Sequence, residues 1–315
     1  MKFSVGLIGL GKIGALYDIN NQNIMSHLKA IIQDDRFDLG FAYDPNVEIC
    51  NFIKMRYNII NIYDNFQKIK QINPKIDLLV VASPTTCHFE SILSLLKFLH
   101  PKVILCEKPL TDSLIDAQNI MHLCNKENIK IVTNFMRRSL PIFKKLKRKI
   151  TSQFPSQHDV VIKYSGCFKN NGSHFVDLMS FFYGTPENIV QKTSKTDSNS
   201  FLKVRATVIH KNAICTYIPM NSHSVINHEL EIMTNKFKLM FSRAGRDIKI
   251  YNASEDEDFA GVYQYRSEEN VKSDYLNFQK HVYNDMYVSL KSGTLRNNLC
   301  DIKSSLENIK FIEEL

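Results

Sequence analysis

At 315 residues, 44% apolar and 23% charged, the chain is long enough for two domains with sizeable cores and has an ordinary globular composition. Its longest apolar stretch, around Ile76 to Ala82, is far too short to span a bilayer, and its seven cysteines form no CxxC pair, so a membrane span, a disulfide frame and a zinc site are excluded. The net charge of +8 is dispersed: the one dense run, Lys144 to Lys149, has no stacking aromatics between its cations, so no nucleic-acid partner is expected. The run Glu255 to Asp258 reads as an exposed loop. The N-terminus passes straight into a strand without a charged leader and cleavage site, and with reduced thiols this predicts a cytoplasmic protein.

The first strand, with Val5, Leu7 and Ile8, ends at Gly9, and Gly9-x-Gly11-x-x-Gly14 opens a predicted helix, the setting that a dinucleotide fingerprint requires. Gly9 makes the tight turn, Gly11 lets backbone approach a pyrophosphate, and Gly14 lets helix and strand pack closely. Lys12 and Ile13 supply further backbone N–H groups there, where the helix start favours phosphate. A second strand, Phe37 to Asp44, ends in a carboxylate able to accept from ribose hydroxyls and repel a 2′-phosphate, which predicts NAD rather than NADP. Asp44-Pro45-Asn46 is equally a turn with a helix cap, and the two readings are compatible. The long spacing from Gly14 to Asp44 requires a loop or extra turn around Asp18 to Ser26.

Strand and helix alternate onward to about Phe135, as in a parallel sheet covered on both faces. Helix Pro45 to Tyr57 is followed by a short strand and helix within Asn61 to Ile72 and by the apolar strand Ile76 to Ala82. A turn at Ser83-Pro84-Thr85-Thr86 then caps a helix to about Phe98. Val103 to Cys106 is a strand ending at Glu107-Lys108-Pro109, Asp112 caps a helix to Asn128, and Ile129 to Phe135 is a further strand. Ligands of such sheets sit beyond the carboxyl ends of the strands, where Gly9, Asp44, Ser83, Pro84, Glu107, Lys108 and Asn134 all fall.

After Arg138 a helix is predicted from Leu140 to Phe154. Period-two runs follow at Asp159 to Phe168, Val204 to Ile209, Ala213 to Pro219, Glu229 to Thr234, Phe237 to Ser242 and Asp247 to Tyr251. They indicate an open, mostly antiparallel sheet, interrupted by a helix at Ser173 to Tyr183 and followed by helices Ser267 to Lys291 and Asp301 to Glu314, the last packing back on the first domain. The fold class is therefore α/β plus α+β, with a doubly wound parallel domain at 1–138 and an α+β domain for substrate binding and oligomerisation at 139–315.

Lys108 at a strand tip can polarise a hydroxyl or carbonyl or donate a proton, with Pro109 fixing its backbone. Seen alone it would be a surface lysine paired with Glu107. In Asn170-Asn-Gly-Ser-His174-Phe-Val-Asp177, Asn171 or Ser173 can cap the helix, and His174 and Asp177 share one face of its first turn. A histidine there can take the proton of a hydroxyl as its hydride leaves. It can equally be a satisfied histidine in a capping loop. His88 is expected to be structural or near the cofactor, and Arg137 or Arg138 to bind a substrate carboxylate or phosphate.

The Gly9 to Gly14 start, Asp44, the turn Ser83 to His88, Cys106-Glu-Lys-Pro109, Asn134-Phe-Met-Arg-Arg138 and Gly172-Ser-His174-Phe-Val-Asp177 together resemble the glucose–fructose oxidoreductase/inositol dehydrogenase/MocA-like (Gfo/Idh/MocA) family. The likeness covers the first domain and the first third of the second, and is only architectural beyond Tyr183. It implies an N-terminal Rossmann domain, catalysis by Lys108 and His174, and a nicotinamide lying over the Glu107-Lys108-Pro109 turn. Where the family usually has Asp four residues before the histidine, this chain has Asn170, which hydrogen-bonds but accepts no proton. Asn170 and Asp177 are then orienting members of the catalytic set. The expected activity is hydride transfer between NAD and a secondary hydroxyl or ketone of a sugar, cyclitol or sugar nucleotide, in a homodimer or homotetramer, with no metal. The alternatives are a cofactor-binding sensor that does not turn over and an imine or ketone reductase that needs only a proton donor.

Overall fold

The computed structural model describes residues 2–198, 200–221 and 225–315, and the chain divides into two compact units. The first comprises Met1–Leu140 and Leu276–Ile309, the second Pro141–Tyr275 and Lys310–Leu315. Residues 276–309 thus belong to the first unit, and the second is not the continuous block 139–315 expected from the sequence.

The first unit runs β1 (Phe3–Ile8), α1 (His27–Ile32), β2 (Phe37–Tyr43), α2 (Val47–Tyr57), β3 (Ile62–Tyr63), α3 (Phe66–Ile72), β4 (Leu78–Val81), α4 (His88–Leu95), β5 (Val103–Cys106), α5 (Leu114–Lys126) and β6 (Lys130–Thr133). Strands β4 and β5 are buried along their whole length, which is why they read as unbroken apolar runs. Side-chain caps start the helices: Ser26 for α1, Asn46 for α2, Asn65 for α3, and Ser113, not Asp112, for α5. The helix expected straight after the glycine turn is only a five-residue π-turn, Lys12–Leu16. Ten residues then intervene before α1, as the spacing had required.

The second unit runs α6 (Pro141–Thr151), β7 (His158–Tyr164), α7 (Ser173–Tyr183), β8 (Asn188–Thr196), β9 (Leu202–His210), β10 (Ala213–Pro219), β11 (Glu229–Met233), β12 (Phe237–Ser242), β13 (Asp247–Glu255) and β14 (Tyr263–Lys272). The chain ends with α8 (Phe278–Ser292), β15 (Cys300–Asp301) and α9 (Ile302–Glu314). Strands β8, β14 and β15 had no counterpart in the sequence reading, and β14 occupies the start of the helix expected from Ser267.

Sheet order in the first unit is β15-β6-β5-β4-β1-β2-β3, all parallel except β15, which pairs antiparallel with β6. The order reverses between β1 and β4, and a ligand crevice opens at such a switch point. One face packs Ile8, Leu79, Val81 and Ile104 on Ile92 and Leu95 of α4 and Ile120 and Cys124 of α5. The other meets α8, where Phe37 stands edge-on to Tyr283 at 5.3 Å and Phe3 to Tyr287 at 5.8 Å. Full burial of each such side chain contributes roughly 1.5–3 kcal/mol.

In the second unit the order is β14-β13-β12-β11-β7-β10-β9-β8, antiparallel except for the parallel pair β7 and β10. Alternation puts Ile162, Leu230, Leu239 and Phe241 on the buried face, where Phe241 stacks on Phe175 of α7 at 5.9 Å and meets Phe143 of α6 edge-on at 6.1 Å. The opposite face carries ion pairs between neighbouring strands, including Lys163 to Glu229 at 3.2 Å and Lys249 to Glu268 at 2.9 Å.

Candidate active site and cofactor cradle

Each glycine of the fingerprint has a distinct physical reason. Gly9 sits at φ +91, in the left-handed region, and a Cβ there would lie 2.7 Å from the backbone of Ala82. A Cβ on Gly14 would lie 2.1 Å from the Gly9 carbonyl oxygen, so only glycine lets the π-turn fold back on the strand end. Gly11 is different: a Cβ there meets nothing within 4 Å. Its reason lies outside the chain, in room for a ligand. At the end of the adjacent β4 the Ser83 hydroxyl is buried without a hydrogen-bond partner, the kind of orphaned group that a bound molecule satisfies. Open space at Gly11 and a waiting hydroxyl at Ser83 fit a dinucleotide at the switch point. Lys12 and Pro84 are exposed beside them, and Ile13 is half-buried.

Asp44 is nearly buried, and its carboxylate does local work: Oδ2 accepts from the Leu10 N–H at 2.8 Å and Oδ1 from the Asn46 N–H at 2.9 Å. It thereby ties the glycine turn to the tip of β2, while Asn46 caps α2. His88 is buried at the start of α4, with Nε2 2.9 Å from the Ser83 carbonyl and Nδ1 3.1 Å from the carbonyls of Pro109 and Leu110. It bridges two strand-end loops with both ring nitrogens.

Lys108 and Pro109, joined by a cis peptide, follow β5. Lys108 is half-buried beside Glu107 rather than a fully exposed surface lysine. Glu107 is buried and its Oε1 is taken by Asn134 Nδ2 at 2.7 Å and His27 Nε2 at 3.0 Å. Burial pushes the Glu107 carboxyl up, but the bonds from His27 and Asn134 and the charge of Lys108 outweigh it and hold it below its ordinary range. Burial pulls the Lys108 ammonium below its ordinary range, Glu107 opposes this, and Arg137 adds to it. A lysine lowered at a strand-end cleft is suited to proton transfer.

The amide nitrogen of Asn134 is occupied by Glu107 and, at 3.3 Å, by the Gln279 carbonyl oxygen, so this residue supports the site from behind. Arg137 and Arg138 lie buried on a 3-10 turn after β6. Arg138 donates to the Leu299 carbonyl at 3.5 Å, whereas Arg137 lies close enough to Lys108 to oppose its charge. Of the two, Arg137 is the one beside the candidate chemistry.

Asn170, His174 and Asp177 belong to the second unit. A π-turn, Phe168–Gly172, leads directly into α7, and neither expected cap is used: Asn171 donates to the Ser165 carbonyl and Ser173 to the Asn170 carbonyl, each at 2.8 Å. Asn170 is exposed, His174 half-buried and Asp177 buried. Sequence reasoning missed His27, Gln279 and Tyr283. His27 lies 80 residues from the carboxylate it touches, and no local pattern encodes such a pairing. Among the described residues no group of His, Cys, Asp and Glu could hold a metal ion, and no helix is long and apolar enough to cross a membrane.

Comparison with known proteins agrees with this geometry. Residues 3–135 match the family described as an oxidoreductase family with an NAD-binding Rossmann fold. The myo-inositol 2-dehydrogenase of Thermotoga maritima is 26% identical over 195 residues, 57% of this chain and 54% of that protein. The chain thus spans about half the length of the curated relatives it matches first, 54% and 53%. Among solved structures, a dehydrogenase (MviM) from Clostridium difficile superposes with TM-score 0.77 at 16% identity, covering 100% of this chain and 98% of that one. A 3-ketoreductase from Actinomadura kijaniata, in complex with TDP-benzene and NADP, gives 0.77 at 13% identity, covering 100% and 97%. These likenesses establish the two-part fold, and residues 3–135 carry the NAD-binding Rossmann domain of the oxidoreductase family that includes myo-inositol 2-dehydrogenase and MocA.

Proposed function

We propose that the protein is a nicotinamide-dependent oxidoreductase that moves a hydride between NAD and a secondary hydroxyl, or the corresponding ketone, of a sugar, cyclitol or sugar nucleotide. The observation that carries this reading is the half-buried Lys108, its ammonium pulled below its ordinary range, on the same sheet edge as the open Gly11 turn. The relatives' names, a myo-inositol dehydrogenase and a 3-ketoreductase, support the substrate class.

Gly9, Gly11, Lys12, Ile13 and Gly14 would cradle the pyrophosphate, with Asp44 at the ribose. Ser83, Pro84, His88, Glu107, Pro109 and Asn134 would shape and support the nicotinamide end. When bound, the nicotinamide supplies the two-electron acceptor or donor. Lys108 holds and polarises the reacting oxygen. His174 takes the hydroxyl proton in oxidation and returns one in reduction, and Asn170 and Asp177 orient it. Arg137, with Arg138 behind it, suits a carboxylate or phosphate on the substrate. Asp44 supports NAD over NADP, because a 2′-phosphate would meet its carboxylate. A homodimer or homotetramer through the ion-paired outer face of the second sheet completes the proposal, and a sedimentation run giving only monomer would overturn that part.

The test is binding followed by turnover. NAD should bind more tightly than NADP, and absorbance of the reduced nicotinamide should change with myo-inositol or with a nucleotide-linked sugar or its ketone. Absence of binding by either nucleotide sinks the proposal. One feature, Asn170 in place of the usual carboxylate, favours a second reading as a cofactor-binding sensor or an imine or ketone reductase. Turnover lost in Lys108→Ala with nucleotide binding retained excludes the sensor.

A further inference from the structure

A closed set of buried polar groups lies behind the Lys108 turn, entirely within the first unit. His27 opens α1 and is fully buried. Its Nε2 lies 3.0 Å from Glu107 Oε1 and its Nδ1 3.2 Å from the Tyr283 hydroxyl of α8. Glu107 Oε1 also accepts from Asn134, which contacts Gln279 in turn.

Donor counting fixes the proton. An ionised carboxylate only accepts, so His27 Nε2 carries the hydrogen toward Glu107, while Nδ1 shares the second contact with the Tyr283 hydroxyl. The Gln279 amide nitrogen is 3.2 Å from the same Nε2, and the shorter, charge-assisted contact to Glu107 takes the hydrogen. Burial, then the Glu107 charge, pushes the Tyr283 phenol well above its ordinary range, which keeps it a donor.

The placement of His27 is built from its other side as well. The buried Asp18 carboxylate accepts from Met25 N–H at 2.5 Å, Ser26 N–H at 2.7 Å and Ser26 Oγ at 2.6 Å. The Lys29 ammonium donates to the Asp18 carbonyl at 2.9 Å. The inserted loop therefore delivers His27 at a fixed point under the Glu107 side chain. Glu107 is faced by His27 from α1, Asn134 from the end of β6, and its neighbour Lys108. Glu107 and Arg137 both act on the charge of Lys108, in opposite directions.

We propose that His27 is a positioning residue for Lys108: its Nε2–H keeps the Glu107 carboxylate aimed and ionised, and that carboxylate sets the charge state in which Lys108 meets the reacting oxygen. This rests on the reading of Lys108 given above. The two fail separately, because the test reads Lys108 itself and needs no substrate.

The experiment is competitive labelling of the folded protein with acetic anhydride from neutral to strongly alkaline pH, with the Lys108 peptide quantified by mass spectrometry. His27→Gln keeps a donor at the Nε2 position, whereas His27→Asn is too short to reach Glu107. The Asn variant, which leaves the Glu107 carboxylate without its His27 donor, should move half-labelling of Lys108 down, and the Gln variant should leave it in place. Glu107→Gln, which removes that charge outright, should move it down by about one pH unit, with no further move when His27→Asn is added, since both act on one link. Equal behaviour of the Gln and Asn variants overturns the proposal. So does an unmoved Lys108 in Glu107→Gln, a variant that answers the question even if neither His27 variant folds.

Discussion

The strand-end edge of the first unit and the open sheet of the second make opposite demands on their residues. At the edge, single atoms decide: a Cβ on Gly14 has no space, the Ser83 hydroxyl has no partner, and Glu107 is held by two named donors. In the sheet, classes of residue decide: apolar side chains alternate inward and charged ones pair outward. Chemistry concentrates where substitution is least tolerated, and breadth of tolerance marks the surface that only has to be covered or wetted.

Four measurements sharpen or break that contrast. The largest effect is expected from Lys108→Ala, with turnover down about 10²–10⁴-fold, the usual worth of a positioned proton-transfer group, and NAD affinity nearly unchanged. Equal loss of both would make Lys108 a structural residue.

Next come two glycines separated by three positions. Gly14→Ala should destabilise the first unit by about 1–3 kcal/mol in denaturant unfolding, because its Cβ meets backbone that does not yield. Gly11→Ala should leave unfolding unchanged and weaken NAD binding about tenfold, roughly 1.4 kcal/mol. If Gly11→Ala instead unfolds the protein, the cradle is a packing feature.

A smaller change follows for Asp44→Asn. It should narrow the NAD-over-NADP preference about tenfold while keeping the turn, since an amide oxygen still accepts from Leu10. Unchanged preference would confine Asp44 to bracing.

The smallest effect separates the units by pH. Burial pulls His158 and His210 below their ordinary 6.5, so the neutral rings favour the fold: this stability is full above 6.5 and is lost as pH falls and the unfolded chain takes protons. Glu107 is held below its ordinary 4.5, so its contribution is present above 4.5 and lost as pH falls through its lower folded value. Hydrogen exchange between pH 6.5 and 4.5 should therefore weaken in the second unit first. Loss beginning in the first unit would contradict the assignment of these groups.

The same contrast explains what the chain revealed before its structure was known. Strands β1, β4 and β5 were legible because both faces are buried and apolarity is continuous, and the glycine turn because backbone geometry leaves a residue-type signature. Strands β8 and β14 are the edges of the second sheet; nearly all of β8 is exposed, and the polar run from Tyr263 to Lys272 carries no period for a reader to find. Asn134 was legible as a strand-end residue, but nothing local announces that Glu107 claims its amide nitrogen. His27 was passed over since its partners come from two distant segments, the end of β5 and α8.

The return of residues 276–309 to the first unit has a consequence in time. Gln279 lies 145 residues from Asn134, and the Tyr283 hydroxyl that fixes His27 lies 256 residues from it. A ribosome adding about 5–20 residues per second completes the second unit's strands before it makes α8. The dinucleotide-binding unit, begun first, is therefore covered only after the strands of the second unit have been made. A nascent chain paused before Leu276 would present six of the seven strands of the first sheet, with its α8-facing apolar side open to chaperones until α8 emerges.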